Sequence, residues 1–297
     1  MSCLDAADTE AWVPYLGVTL REFGALQQLI ESYQRHCAAS GVPLVVVDQS
    51  EAVRKQLDHP ETLDGAPVFR IHERFARTLP SAGPSLSDIR ETLDGLEAAG
   101  QIRVKRPDTR LFHSQCINRI VEDWSGARFV LLLDSDAVFT ATGLFEALGS
   151  AYPKSAWETT TAVGSLVDFT EVTRKASWGS RVMQRLGRAE SAEPERRARR
   201  WRLPRLHPHC LLLHRELIAR RQIDFQLLFL DVLEPGWDGD PQRAGRMLGD
   251  TGASLVFQTA QLGLRVGNFP MDRYAGHLRS ASYEKDDDSR DLYNWWR

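Results

Sequence analysis

The chain has 297 residues, of which 42% are hydrophobic and 26% charged. That is an ordinary balance for a soluble protein and enough to bury a large core in one big domain or two small ones. No apolar stretch is long enough to span a bilayer. The first ten residues carry no signal-peptide core. Cys3, Cys37, Cys116 and Cys210 are scattered without a C-x-x-C pair, which argues against a disulfide scaffold or structural zinc and for a reducing cytoplasm. The net charge of −3 is uneven: residues 174–221 hold 14 Lys/Arg against 4 Glu. Such an excess suits a surface that meets anions, or equally a solvated arginine-rich loop around 193–200.

In chain order, residues 15–20 read as a first strand. Helical spacing follows over 21–39, with Phe23, Leu26, Leu29, Ile30 and Tyr33 on one side. Gly41-Val42-Pro43 breaks the helix, and Leu44 to Val47 is a second, buried strand ending at Asp48-Gln49-Ser50. A strand–helix–strand opening of this kind predicts a parallel sheet. A short strand is expected at 68–71, a Pro/Gly/Ser-rich loop at 78–87, a helix over 86–99 stopped by Gly100, and a short strand at 102–104. Residues 113–124 form a helix with Cys116, Ile117, Ile120 and Val121 inward. Helix 142–151, strand 162–167, an apolar run at 210–213, helix 214–220 and helix 250–263, with Gly263 as its C-terminal cap, complete the pattern. The tail from Glu284 is acidic, then aromatic at Trp295 and Trp296.

The densest signal is Phe129-Val-Leu-Leu-Leu133 followed by Asp134-Ser135-Asp136. A short run that is apolar on both faces is a buried parallel strand, and ligands in open α/β sheets sit beyond the carboxyl ends of strands. Two carboxylates there can hold a hard divalent cation, and the cation a diphosphate. The bland alternative is one Asp capping the next helix and one solvated. His207 and His209 flank Pro208. Without other soft ligands nearby they are a weak zinc signal and read as cleft-lining or packed side chains.

Taken in order, these features resemble the GT-A glycosyltransferases, most closely the large inverting family 2, over about residues 15–282. The resemblance implies an α/β, Rossmann-like three-layer sandwich around a mostly parallel mixed sheet. It implies a single GT-A domain spanning 1–297. About 11–136 would be the nucleotide-sugar half, about 137–282 the acceptor half, and 283–297 a tail. The Val-Val-Val-Asp-Gln-Ser ending carries Asp48, which by resemblance contacts the nucleobase; its alternative is a strand-end turn. Asn118, on the helix before the D-x-D strand, matches a family position at the nucleotide. Asp136 is implied as direct metal ligand, and Asp134 as a ribose or water-mediated metal contact.

Gly249-Asp250-Thr251-Gly252 resembles the family's Glu-Asp element, whose Asp is the catalytic base. Gly249 replaces the Glu, and Asp250 is also a natural N-cap. In Arg273-Tyr-Ala-Gly-His277-Leu-Arg-Ser280, His277 is implied as a metal ligand, with Arg279 and Ser280 on phosphate oxygens.

The implied activity is transfer of a hexosyl or pentosyl group, with inversion, from a nucleoside-diphosphate sugar to an acceptor hydroxyl, with Mn2+ or Mg2+ as cofactor. A UDP-sugar stands first among the donors. The acceptor is a glycan, a small molecule, or a modified base in DNA. DNA or another anionic polymer would be met through Arg174–Arg221, where Trp178 and Trp201 interleave with the arginines. The alternatives are a nucleotidyltransferase, which residues 16–21 with their single Gly fit poorly, and a non-catalytic sugar-nucleotide-binding relative.

Overall fold

The computed structural model describes residues 4, 7–17, 20–58, 85–111, 113–168, 204–225, 228–232, 245–249 and 251–278. The strand expected at 68–71, most of the 78–87 loop, residues 174–203 of the basic segment and the tail from Glu284 lie outside them.

Seven strands form one sheet. They are β1 (Thr9–Tyr15), β2 (Leu44–Asp48), β3 (Arg103–Lys105), β4 (Phe129–Leu133), β6 (Thr160–Asp168), β7 (Pro204–His214) and β10 (Arg265–Asn268), in the spatial order β10-β6-β7-β4-β1-β2-β3. All neighbours are parallel except those of β7, which runs against both β4 and β6. The sheet is therefore mixed and mostly parallel, as expected. Two small antiparallel ladders lie apart from it. One joins β5 (Ala137–Phe139) to β11 (Ala275–His277), the other β8 (Leu228–Val232) to β9 (Gly245–Gly249).

Strand alternation sends successive side chains into two cores. Phe129, Leu131 and Leu133 of β4 join Leu44 and Val46 of β2 on one face. That face is covered by α1 (Leu20–Cys37), α3 (Leu86–Ala98) and α5 (Leu144–Ala151), through Leu26, Leu29, Tyr33, Ile89, Leu93 and Leu148. Val130 and Leu132 join Val45 and Val47 on the other. There the cover is α4 (His113–Arg119, continued by a π turn over Ile120–Trp124), α6 (Arg215–Arg221) and α7 (Thr251–Gln261). The remaining helix, α2 (Ser50–Asp58), follows β2 directly. With helices on both sides of one sheet, this is the three-layer α/β architecture. Every residue of β4 is buried, so truncating one of its leucines to Ala costs about 2–5 kcal/mol.

The first strand differs from expectation. It spans Thr9–Tyr15, not 15–20. Gly17 ends it at φ 68°, and a Cβ there would lie 2.5 Å from the Ser50 Cβ, so only Gly lets the turn pass under α2. Pro14 is tolerated because the β4 ladder has already ended at Trp12. The apolar run at 210–213 is the end of the eleven-residue β7, whose polar first half hides it in the sequence. Among the described residues no helix is long and apolar enough to cross a membrane.

Candidate metal centre

The site is built where β4 stops. The Asp134 N–H donates to the His209 carbonyl at 3.2 Å, and the Ala137 N–H closes a turn onto the Asp134 carbonyl at 3.0 Å. Both aspartates are thereby held at the carboxyl edge of the sheet. β5 follows immediately, and β11 returns from far along the chain to pair with it, placing His277 opposite Ala137. The Leu278 N–H bonds the Asp136 carbonyl at 2.9 Å. This short ladder, absent from the sequence pattern, is what brings His277 to the carboxylates.

Nε2 of His277 lies 2.9 Å from Oδ1 of Asp136 and 3.8 Å from Oδ2 of Asp134. One donor atom from each of the three residues falls within 4.8 Å of the others. Asp136 is buried, and its Oδ2 has no hydrogen-bond partner among the described residues. A buried carboxylate oxygen left unpaired is costly unless a cation meets it, and two carboxylates with one imidazole suit Mn2+ or Mg2+. The residues present therefore fit a divalent cation. Burial pushes the Asp134 carboxyl above the ordinary carboxylate range; His113 opposes this and Asp136 adds to it.

Three further histidines crowd the same edge. Nε2 of His113, at the head of α4, is 3.7 Å from Oδ1 of Asp134. Sequence reasoning missed this residue, since a His opening a helix some twenty residues before the acidic pair carries no signal of its own. On β7, Nδ1 of His207 and Nδ1 of His209 are 2.6 Å apart, and the His277 ring centroid is 5.9 Å and 6.1 Å from theirs. Burial lowers both pKa values, that of His207 to about 3 with help from His209 and Arg205, so both rings are neutral at pH 7.

Asp48 stands at the end of β2 and is buried. Its Oδ1 accepts from the Ser50 N–H (3.1 Å) and hydroxyl (2.6 Å), and its Oδ2 from Nε of Arg106 (3.2 Å). The turn and an ion pair are thus both present. Arg106 also reaches Asp94 at 2.6 Å. Asn118 is engaged at both ends: its Nδ2 donates to Asp224 at 2.5 Å, and its Oδ1 accepts from the Phe225 N–H at 3.0 Å. Gln258 of α7 completes this bracket, donating to the Asp224 carbonyl and accepting from the Asp224 N–H. Asn118 therefore ties α4 to the segment after α6, which Gln258 ties in turn to α7.

Asp250, Arg279 and Ser280 lie outside the described residues. Helix α7 begins at Thr251, one residue after Asp250. A Cβ on Gly252 would sit 2.0 Å from the Leu206 carbonyl oxygen, so the front of α7 abuts β7 beside His207. Within the basic segment, Arg215 is structural: it donates to the carbonyls of Ala127 (2.5 Å) and Val121 (3.3 Å).

No protein-family profile matches the sequence, and no curated protein does. Among solved structures, the chain is similar to the mannosyltransferase PcManGT from Pyrobaculum calidifontis, in complex with GDP-Man and Mn2+. The identity is 16% and the TM-score 0.44, over 89% of this chain and 55% of that one. It is also similar to S. aureus TarS 1–349, at 11% identity and TM-score 0.45, over 90% and 59%. The complex of TarS with UDP-GlcNAc aligns at 12% identity and TM-score 0.41, over 94% and 62%. The chain thus spans less than two thirds of the structures it matches, and the likeness is one of chain path alone.

Proposed function

We propose that this chain transfers a glycosyl group from a nucleoside-diphosphate sugar, a UDP-sugar first among them, to an acceptor hydroxyl with inversion. The observation that carries the reading is the convergence of Asp134, Asp136 and His277 at the carboxyl edge of β4, with the Asp136 Oδ2 buried and unpaired. These three residues would hold Mn2+ or Mg2+, which when bound supplies positive charge against the diphosphate leaving group. Asp48, braced by Arg106, marks the nucleoside end, and Arg279 and Ser280 are assigned to phosphate oxygens.

Asp250 is assigned as the base that takes the proton from the acceptor hydroxyl. Its neighbour Thr251 starts a helix whose second residue packs on Leu206, adjacent to His207. The acceptor is assigned to the side of the basic segment, and transfer to an anionic polymer there would weaken steeply with salt.

The test is thermal stabilisation by UDP-, GDP-, dTDP- and CDP-sugars with and without Mn2+, on wild type and Asp136→Asn. Mn2+-dependent stabilisation by one nucleotide, lost in Asp136→Asn, is expected. Stabilisation by none of them would overturn the donor assignment. Near-wild-type transfer by Asp250→Asn would overturn the base assignment.

A further inference from the structure

The histidine pair on β7 is not accounted for by the donor site. His207 and His209 are two residues apart on β7, within the stretch where its register against β6 shifts. Their Nδ1 atoms converge to 2.6 Å. The His209 backbone N–H also points at Nδ1 of His207, at 3.3 Å, so that nitrogen presents its lone pair toward residue 209. Two imidazole nitrogens at this separation need either a shared N–H hydrogen or a metal ion between them.

The surroundings favour a metal ion. Asp136, with its unpaired Oδ2, and Asp134 both act electrostatically on the pair. A cation about 2.0–2.1 Å from each nitrogen, the usual Zn–N length, would see them at roughly 75–80°. Opening the pair by about 0.3 Å through side-chain rotation reaches the right angle of adjacent octahedral ligands, and by about 0.7 Å the tetrahedral angle of zinc. The Asp134–Asp136–His277 trio is oxygen-rich, while this pair offers only nitrogen. The two donor sets therefore select different ions.

We propose that His207 and His209 chelate a second divalent cation of the nitrogen-preferring class (Zn2+, Co2+ or Ni2+) through their Nδ1 atoms, beside the Asp134–Asp136–His277 trio. The pair does not depend on the glycosyl-transfer reading, and its binding is measured without any sugar nucleotide.

The test is equilibrium dialysis of chelator-treated protein against Co2+, with the visible Co2+ spectrum recorded. The proteins are wild type, His207→Gln and His209→Gln, each checked by circular dichroism. Wild type should take up one Co2+ more than either histidine variant, and the variants should keep the equivalent held by the Asp134–Asp136–His277 trio. Equal uptake by wild type and both histidine variants would mean that the pair is joined by a hydrogen bond alone, and overturns the proposal. Loss of all Co2+ from both variants would mean one merged centre and overturns it as well. Should the histidine variants not fold, fewer than two equivalents in wild type are sufficient to refute it.

Discussion

Alanine at position 252 sets helix propensity against packing, and the structure decides the sign. Gly252 is the second residue of α7, where Ala is preferred over Gly by up to about 1 kcal/mol. An added Cβ, however, would lie 2.0 Å from the Leu206 carbonyl oxygen and 3.1 Å from its carbon. Both are backbone atoms of β7, which is held in the sheet on both sides and cannot swing away like a side-chain tip. Relieving the contact to about 3.2 Å moves the front of α7 by roughly 1 Å, and overpacking of this kind costs about 1–3 kcal/mol. The net expectation for Gly252→Ala is a loss of about 1–2 kcal/mol, or roughly 2–6 °C in Tm for a chain of this size.

Gly95 is the control. It lies in α3 with nothing within 4 Å of its would-be Cβ, so Gly95→Ala should stabilise by about 0.5–1 kcal/mol. Urea denaturation of both variants makes the comparison. If Gly252→Ala is as stable as wild type or more so, the close approach of α7 to β7 is refuted.

Asn118→Ala removes one hydrogen-bond partner from Asp224 and one from the Phe225 N–H, and should cost about 1–3 kcal/mol in urea unfolding; a loss under 0.5 kcal/mol would dismiss the bracket between α4 and residues 224–225. Burial drives the Cys37 and Cys116 thiols up to about 12 and the Cys210 thiol up as well. At pH 8 a disulfide reagent should therefore find these three unreactive in the native protein and reactive in denaturant, and more than one prompt equivalent in the native state would contradict this. Burial, then Arg128, lowers the pKa of His214, so the unfolded chain takes up a proton below its ordinary pKa of about 6.5 before the fold does. Stability falls as pH drops through that range, by up to about 1.4 kcal/mol per unit. The penalty of His214→Gln should shrink between pH 7 and pH 5, and a constant penalty would show that His214 is not held neutral.

Legibility in the sequence followed locality. β2 and β4 stood out because strands buried on both faces are unbroken apolar runs. Gly100 and Gly263 announced helix ends and do adopt positive φ. The first strand was misplaced because Glu10 and Pro14 interrupt its pattern, and of β7 only the apolar run at 210–213 stood out because the residues before it are polar. Both are strands because neighbouring strands demand them, which no local window contains. The acidic pair of the site was visible for the same reason as β4. What was not visible is the β5–β11 ladder that delivers His277, the approach of His113, and the distance between the two β7 histidines. The ladder depends on contacts across more than a hundred residues, the His113 approach on how α4 packs beside the end of β4, and the histidine distance on the local course of one strand.

The antiparallel course of β7 has a consequence for how the chain is made. β4 needs β7 on one flank, yet β7 leaves the ribosome roughly 70 residues later, several seconds at ordinary synthesis rates. In that interval Phe-Val-Leu-Leu-Leu carries an unpaired edge and two greasy faces, the kind of segment that templates aggregation. Expression of this protein should therefore be limited by protection of the nascent strand, and slower synthesis across residues 134–203 should lower the yield of folded chain.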